Sequence, residues 1–284
     1  MRLVIVLLAS ASLSACDTKS AEATAEPTAA VVPAAVTFDG ADATDPAKRL
    51  AHGERLSHVL GCRGCHEPNL EGSWFNKDSP EMGKLYASNL TRVLPTMTDA
   101  ELESLLRSGR HPTRGDMWIM PSEIFQRLSD ADMAALIAHL RTVKPSGEAT
   151  PPPVLSAAAT AAIAAGKLKP VTAYVDEYKT KVPVDLGPEH ALGRYVSAAT
   201  CAECHGGDLT GVPEFTPGTN VPDLDIAGTY SAEELARLLI TGEGKTRKDL
   251  GLMTIVSKGH FSHLTPRERA AVVAYLKARA ERPQ

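Results

Sequence analysis

Cys62-Arg63-Gly64-Cys65-His66 (CRGCH) returns at residues 201–205 as CAECH. Four of the chain's five cysteines belong to these two motifs, and the fifth is Cys16. Paired cysteines serve structural zinc sites, dithiol redox sites and the covalent attachment of a c-type haem. Haem attachment best explains a histidine directly after the second cysteine in both copies, because two thiols bind the haem and the adjacent histidine ligates its iron. The motifs therefore predict two covalently attached haem c groups, held by Cys62, Cys65, His66, Cys201, Cys204 and His205, with His66 and His205 as iron ligands.

The composition of the chain is that of a soluble globular protein. Its 284 residues are 43% hydrophobic and 23% charged, and only 5% are aromatic. Two small units with so few aromatic residues need another group to fill their cores, which agrees with haem. The net charge is −4 and no basic stripe is present, so the sequence does not favour nucleic-acid binding.

The N-terminus has the features of an export signal. Arg2 precedes the apolar run LVIVLLASASL, which has the length of a signal peptide and is too short to span a bilayer. Leu13-Ser14-Ala15-Cys16 resembles the bacterial lipobox, in which the cysteine is acylated, and the alternative is an ordinary cleaved signal with an incidental cysteine. Residues 1–15 are thus predicted to be a lipoprotein signal peptide, and residues 16–45, rich in Ala, Thr, Pro and Glu, a flexible tether. A lipid on Cys16 would hold the protein in the bacterial periplasm, at the inner membrane if Asp17 acts as the retention residue that it resembles.

The two halves of the chain repeat one another beyond the motifs. In each half a capped helix ends at a glycine, ELESLLRSG at Gly109 and ELARLLITG at Gly242. Met120 and Met253 both lie eleven residues after these glycines. A methionine in the sixth position gives a closed iron with a raised potential, whereas an open position permits substrate binding. The repeat therefore predicts Met120 and Met253 as the second iron ligands.

Other residues compete for these two positions. In the second half the rivals of Met253 are His260 and His263 in the segment KGHFSH. In the first half the place in the repeat favours Met120 over Met117. The other methionines of the first half lie before the helix-ending glycine or within the apolar part of a helix, and they are Met82, Met97 and Met133.

With these features the chain resembles a dihaem cytochrome c made of two class I cytochrome c domains. The resemblance rests on CRGCH and CAECH, on IMP at 119–121, on LGLM at 250–253, and on the helix starts LSD at 128–130 and LTP at 264–266. It covers about residues 46–145 and 186–284, with a linker at 146–185 between them. The chain is similar, too, to the cytochrome c subunits that accept electrons from membrane-associated alcohol, sugar or sugar-acid dehydrogenases. The resemblance implies an all-α fold of two tandem domains, each wrapped around a haem, in which the first and last helices cross.

The helical periodicity agrees with this fold. Apolar residues recur at helical spacing in 46–61 and in 188–200. Gly53 and Gly193 interrupt these helices, where glycine costs about 1 kcal/mol relative to alanine, so a close crossing of helices would explain them. His139 lies ten residues after the cap of its helix, the same place as Tyr275 in the second half, and is predicted to pack at the crossing and not to bind iron.

Four further residues lie near the predicted haem sites. Trp74 and Trp118 are predicted to pack on haem, with donation from the indole N–H to a haem propionate as the alternative. Asn89 and Arg92 are candidate propionate donors.

The leading functional hypothesis is electron transfer without substrate chemistry. Such a protein would accept electrons from a dehydrogenase or another donor and pass them to a terminal oxidase or another cytochrome. The main alternative is a dihaem enzyme, of the peroxidase or sulfur-compound dehydrogenase type, with an open sixth site on one haem. A haem-binding sensor or assembly module is a third class, which no residue specifically supports.

Overall fold

The computed structural model describes residues 35–77, 80–216 and 219–283. The described part is mainly helical, and its helices are α1 (Pro46–Val59), α2 (Cys62–Cys65), α3 (Leu90–Val93), α4 (Asp99–Ser108), α5 (Ser122–Phe125), α6 (Asp130–Leu140), α7 (Ala157–Ala164), α8 (Val171–Tyr178), α9 (Ala191–Thr200), α10 (Ala202–His205), α11 (Ala232–Thr241), α12 (Leu252–Gly259) and α13 (Pro266–Glu281). The predicted signal peptide at 1–15, Cys16 and the tether up to residue 34 lie outside the described residues.

Short antiparallel strand pairs accompany the helices. They join β1 (Gly83–Lys84) to β4 (Val154–Leu155), β2 (Arg110–His111) to β3 (Gly115–Asp116), and β5 (Val212–Thr216) to β6 (Thr219–Val221). The sequence did not predict these pairs, which fasten loops and leave the two domains mainly α-helical.

The capped helices begin and end where local chemistry predicts. In α4 the Thr98 hydroxyl accepts from the Glu101 backbone N–H while the Glu101 carboxylate accepts from the Thr98 N–H. The helix ends at Gly109, whose φ of 69° is in the left-handed region that glycine adopts without strain. Helix α11 repeats this arrangement between Ser231 and Gly242. In both halves the chain therefore leads from the same kind of helix end to the predicted axial methionine.

The crossing predicted from the two helical glycines is present in both halves. Helix α1 packs on α6, and α9 packs on α13. A methyl group at position 53 would overlap the carbonyl oxygen of Ala135, and one at position 193 would overlap that of Ala271. Glycine is required here because the backbones of the two helices touch.

The residues predicted to pack beside these crossings do so. His139 is 8% exposed, lies beside Gly53, and its Nε2 is 3.2 Å from Nη2 of Arg63. Tyr275 is fully buried beside Gly193. His139 is thus a helix-packing residue, as predicted.

The linker between the halves packs against both of them. Its strand β4 pairs with β1 of the first half. Tyr178, at the end of α8, is buried and donates a hydrogen bond to the carbonyl of Ala202 in the second half at 3.2 Å. Arg127 of the first half donates to the carbonyl of Lys181 at 3.0 Å. The linker therefore joins the halves by packing.

The predicted tether is wrong in its last part. Phe38 is 1% exposed and its ring packs edge-on against that of Tyr195, with centroids 5.3 Å apart. Residues 37–40, called the strap below, donate two backbone hydrogen bonds to carboxylates of the folded halves. The composition of residues 16–45 predicts a flexible segment because small residues dominate it. One aromatic residue, Phe38, is nevertheless enough to anchor its last part. No helix within the described ranges is both long and apolar enough to cross a membrane.

Candidate haem-attachment sites

Each motif histidine is held by a backbone carbonyl. Nδ1 of His66 lies 2.7 Å from the carbonyl oxygen of Ser88, and Nδ1 of His205 lies 2.8 Å from that of Pro222. Burial lowers the pKa of both imidazoles, so both are neutral at pH 7. A neutral ring that donates from Nδ1 keeps its lone pair on Nε2, which is the tautomer that ligates a metal. The residues present therefore fit a haem iron at both histidines.

The same loop follows both histidines. The carbonyl of His66 accepts from the N–H of Gly72 at 2.9 Å, and the carbonyl of His205 accepts from that of Gly211 at 2.8 Å. Leu70 and Leu209 are buried and adopt φ values of 64° and 67°, in a region that residues with a side chain rarely occupy. Such strain at the same place in both halves indicates that the loop geometry is needed at the site.

Asn89 and Asp223 anchor the segments that carry the two accepting carbonyls. The Asn89 side chain is buried and donates to the carbonyls of Ser146 and Glu148, at 2.8 and 2.9 Å. At the equivalent place in the second half, Asp223 forms an ion pair of 2.6 Å with Arg279, which is 1% exposed. Sequence reasoning missed this shared role, because the partners lie more than 50 residues away along the chain.

Both suggested propionate donors have hydrogen-bond partners within the chain, and propionate binding by either one stays a prediction. Asn89 is used as just described, and Arg92 donates two hydrogen bonds to the carbonyl of Gly147, at 2.8 and 2.6 Å. Trp74 donates its indole N–H to Oδ1 of Asn76 at 2.8 Å, which agrees with a packing role, and Trp118 is 37% exposed.

The surroundings of the motif cysteines do not favour the thiolate form. Burial raises the pKa of Cys62 to about 12 and that of Cys204 to about 12. A dithiol redox site needs the opposite, a thiol with a lowered pKa. A zinc site would need a group of at least three ligands, and among the residues that the structure describes none is assembled from His, Cys, Asp or Glu.

Both predicted axial methionines pack against the cores of their halves. Met120 and Met253 are partly buried and contact the buried apolar cluster. The backbone carbonyl of Met117 accepts from the N–H of Val171 at 2.8 Å and so fastens the linker. Met133 is fully buried in α6 and is core filler. Iron ligation by Met120 and Met253 stays a prediction, which this placement supports.

The histidine rivals of Met253 point to the other half of the protein. Nε2 of His260 would lie 2.7 Å from a methyl group at position 64, and its ring covers Gly61 as well. His263 stacks on His58, with ring centroids 4.1 Å apart and planes inclined by 20°. Both rings therefore pack on α1 and α2 of the first half. This packing favours Met253 as the iron ligand in the second half.

This histidine cluster is expected to make stability fall on acidification. Burial, then the neighbouring His263 and Arg63, lower the pKa of His58 from 6.5 to about 4. Between those values the unfolded chain binds more protons than the folded one, so the folded state loses stability as the pH falls from about 6.5 to about 4. Urea unfolding of the wild type and of His58→Gln at pH 7 and pH 5 measures this. The variant should lose less stability between the two pH values, and equal losses would contradict the role of His58.

Comparison with known proteins places these sites in a family. The cytochrome c family model matches residues 50–144 and 190–280, one match around each motif. The fructose dehydrogenase cytochrome subunit of Gluconobacter japonicus is 27% identical over 274 residues, which cover 84% of this chain and 55% of that relative. The chain thus spans about half the length of the relative, and the resemblance to cytochrome subunits of dehydrogenases is confirmed. With two histidines poised as iron ligands in two equivalent loops, the chain belongs to the cytochrome c family of electron-transfer proteins.

Proposed function

We propose that the protein is a dihaem cytochrome c that passes electrons from a membrane-associated dehydrogenase to an acceptor of the respiratory chain. The observation that carries this proposal is the pair of histidines, His66 and His205. Each is held through Nδ1 by a backbone carbonyl, and each is followed by the same strained loop. Two equivalent sites of this kind support two haems.

The residues of the chain have separate tasks at each site. The two cysteines bind the haem covalently, the histidine supplies one iron ligand, and Met120 or Met253 supplies the other. When bound, haem supplies one-electron chemistry between ferrous and ferric iron. The protein sets the potential through the ligands and the surrounding burial, and its folded halves keep water from the iron.

The partner is proposed from the relative. That protein is the cytochrome subunit of a fructose dehydrogenase, and the match between the two sequences covers 84% of this chain. We infer a dehydrogenase as the electron donor, with a terminal oxidase or another cytochrome as the acceptor.

The location is proposed from residues 1–17. The apolar run and the lipobox-like Leu13-Ser14-Ala15-Cys16 support export and acylation of Cys16. Haem c with a lipid anchor would place the protein on the periplasmic side of the inner membrane, where a tether raises its effective concentration near membrane partners.

Replacing Met120 or Met253 with alanine tests whether both irons are closed. Each substitution is expected to remove about half of the weak red absorption band that methionine gives to ferric haem, and to make one of the two haems bind carbon monoxide. Met117→Ala is the matched control and should leave the band and the lack of carbon monoxide binding unchanged. If Met117→Ala lost the band and Met120→Ala kept it, the ligand assignment in the first half would be wrong. A dihaem enzyme would instead bind carbon monoxide in the wild type.

A further inference from the structure

The last helix of the second half is longer than that of the first half. Helix α6 spans 11 residues and ends at Leu140, whereas α13 spans 16 residues and ends at Glu281. The extra length of α13 carries Arg279, which is buried. At the same count from the helix cap, the first half has Val143, which packs against the apolar core. The fold therefore does not need a charged residue at this place.

Arg279 binds two backbone segments that border His205. Nη1 of Arg279 donates to Oδ1 of Asp223 at 2.6 Å. Asp223 directly follows Pro222, whose carbonyl oxygen lies 2.8 Å from Nδ1 of His205. Nη2 of Arg279 donates at 3.4 Å to the carbonyl of Asp208, in the loop that follows the histidine. One rigid guanidinium thus fixes the chain on both sides of the predicted iron ligand.

The first half divides the same two tasks between two residues. Arg63 of the first motif donates to the carbonyl of Pro68, in the loop that follows His66. Asn89 anchors the segment whose carbonyl holds the His66 ring. The second motif has Ala202 at the place of Arg63, so it cannot make the loop contact itself. The accepting carbonyl is therefore anchored by a neutral amide in the first half and by an ion pair in the second.

Two arginines and two aspartates form a charge cluster beside Pro222. Arg279 pairs with Asp223 and Asp225, and Nη1 of Arg282 lies 2.7 Å from Oδ1 of Asp225. The guanidinium of Arg279 is fully buried, whereas the carboxylates of Asp223 and Asp225 are 41% and 25% exposed. Its positive charge is therefore screened least by solvent. A buried ion pair adds little stability over apolar packing, so the cluster indicates a task at the site.

We propose that Arg279 is a positioning residue for His205 and that its charge raises the reduction potential of the second haem. The inference rests on the proposed function, since it needs a haem attached in the second half. A buried positive charge disfavours ferric iron, which carries one more positive charge than ferrous iron. Arg279 also holds the segment of Pro222, whose carbonyl orients the ligand ring. Two sites with the same predicted ligand types are thus tuned by different residues.

The test is a redox titration of the full-length holoprotein, followed in the visible spectrum. The component that the double variant Cys201→Ala, Cys204→Ala lacks is the second haem. Arg279→Gln is expected to lower the potential of this haem, and Asp223→Asn is expected to raise it. Each should change the ferrous-to-ferric ratio at a fixed potential by about twofold or more, because a unit charge about 10 Å away has that effect even in bulk water. Loosening of the carbonyl segment alone would move both variants in the same direction.

Arg141→Gln is the matched control. Arg141 forms an ion pair of 2.7 Å with Asp99 and donates to the carbonyl of Met97 at 2.8 Å, but all three residues belong to the first half. This variant should leave the potential of the second haem unchanged. Arg279→Lys keeps the charge and should bring the potential back from that of Arg279→Gln toward that of the wild type. A lysine variant with the same potential as the glutamine variant would overturn the inference.

Asp223→Asn decides the question alone if Arg279→Gln does not fold, because the Asp223 side chain is 41% exposed and tolerates the change. A raised potential of the second haem would support the inference, and an unchanged or lowered one would overturn it. A protein without a haem in its second half would overturn the proposed function as well. Two haems whose potentials ignore both substitutions would overturn the inference alone.

Discussion

Replacing Cys201 and Cys204 together with alanine is expected to leave a protein with one haem, attached in its N-terminal half. Both thioether bonds of the second site are lost, and His205 alone cannot retain haem through purification. Haem absorbance per chain should fall to half, and the intact mass should fall by one haem. The C-terminal half should lose thermal stability, because its helices surround the missing group.

Cys16→Ala is the matched control for this change. It removes the one cysteine outside the motifs, so both haems should remain while the proposed lipid is lost from the intact mass. Unchanged haem content in the double variant would show that the second motif does not attach haem.

Replacing Gly193 with alanine is expected to lower the free energy of unfolding by about 3 kcal/mol or more, at the upper end of what overpacking costs. The added methyl group has no space, because the carbonyl of Ala271 already occupies it. Helices α9 and α13 must move apart, and the interface with the first half lies on these helices. Urea unfolding, followed by far-ultraviolet circular dichroism, measures the loss.

The matched control is the same substitution at Gly259 of α12. A methyl group there meets nothing within 4 Å. Alanine is also the better helix former, so Gly259→Ala should keep or raise the free energy of unfolding by about 0.5–1 kcal/mol. If the two variants were equally stable, the close crossing of α9 and α13 would not be the reason for Gly193.

Much of the fold follows from short-range patterns in the sequence. The caps Thr98 and Ser231, the glycine stops after them and the glycine in each first helix are local features with local physical causes, and the structure contains all of them. The haem residues were equally visible because covalent attachment requires neighbouring residues in a fixed order.

The parts that sequence reasoning missed depend on contacts between distant residues. The carbonyls of Ser88 and Pro222 hold the histidines through the backbone, which any residue type could supply. The sequence predicts a tether over the strap because the partner of its one aromatic residue, Phe38, is the ring of Tyr195, which lies far along the chain. His260 was a rival ligand in the sequence, and only the packing of the two halves shows that it faces the first motif.

The two halves therefore form more than a tandem repeat. The buried carboxylates of Asp132 and Glu268 each accept hydrogen bonds from the strap and from the other half.

The central claim is that both halves carry a haem whose iron is closed to substrate. The most direct measurement is the visible and near-infrared spectrum of the purified protein, oxidised and reduced, with and without carbon monoxide, together with the haem count per chain. The account predicts two low-spin haems, the weak red band of methionine-ligated ferric iron, and no response to carbon monoxide. A high-spin haem, or ready binding of carbon monoxide by the wild type, would contradict it and point to an enzyme with an open iron site.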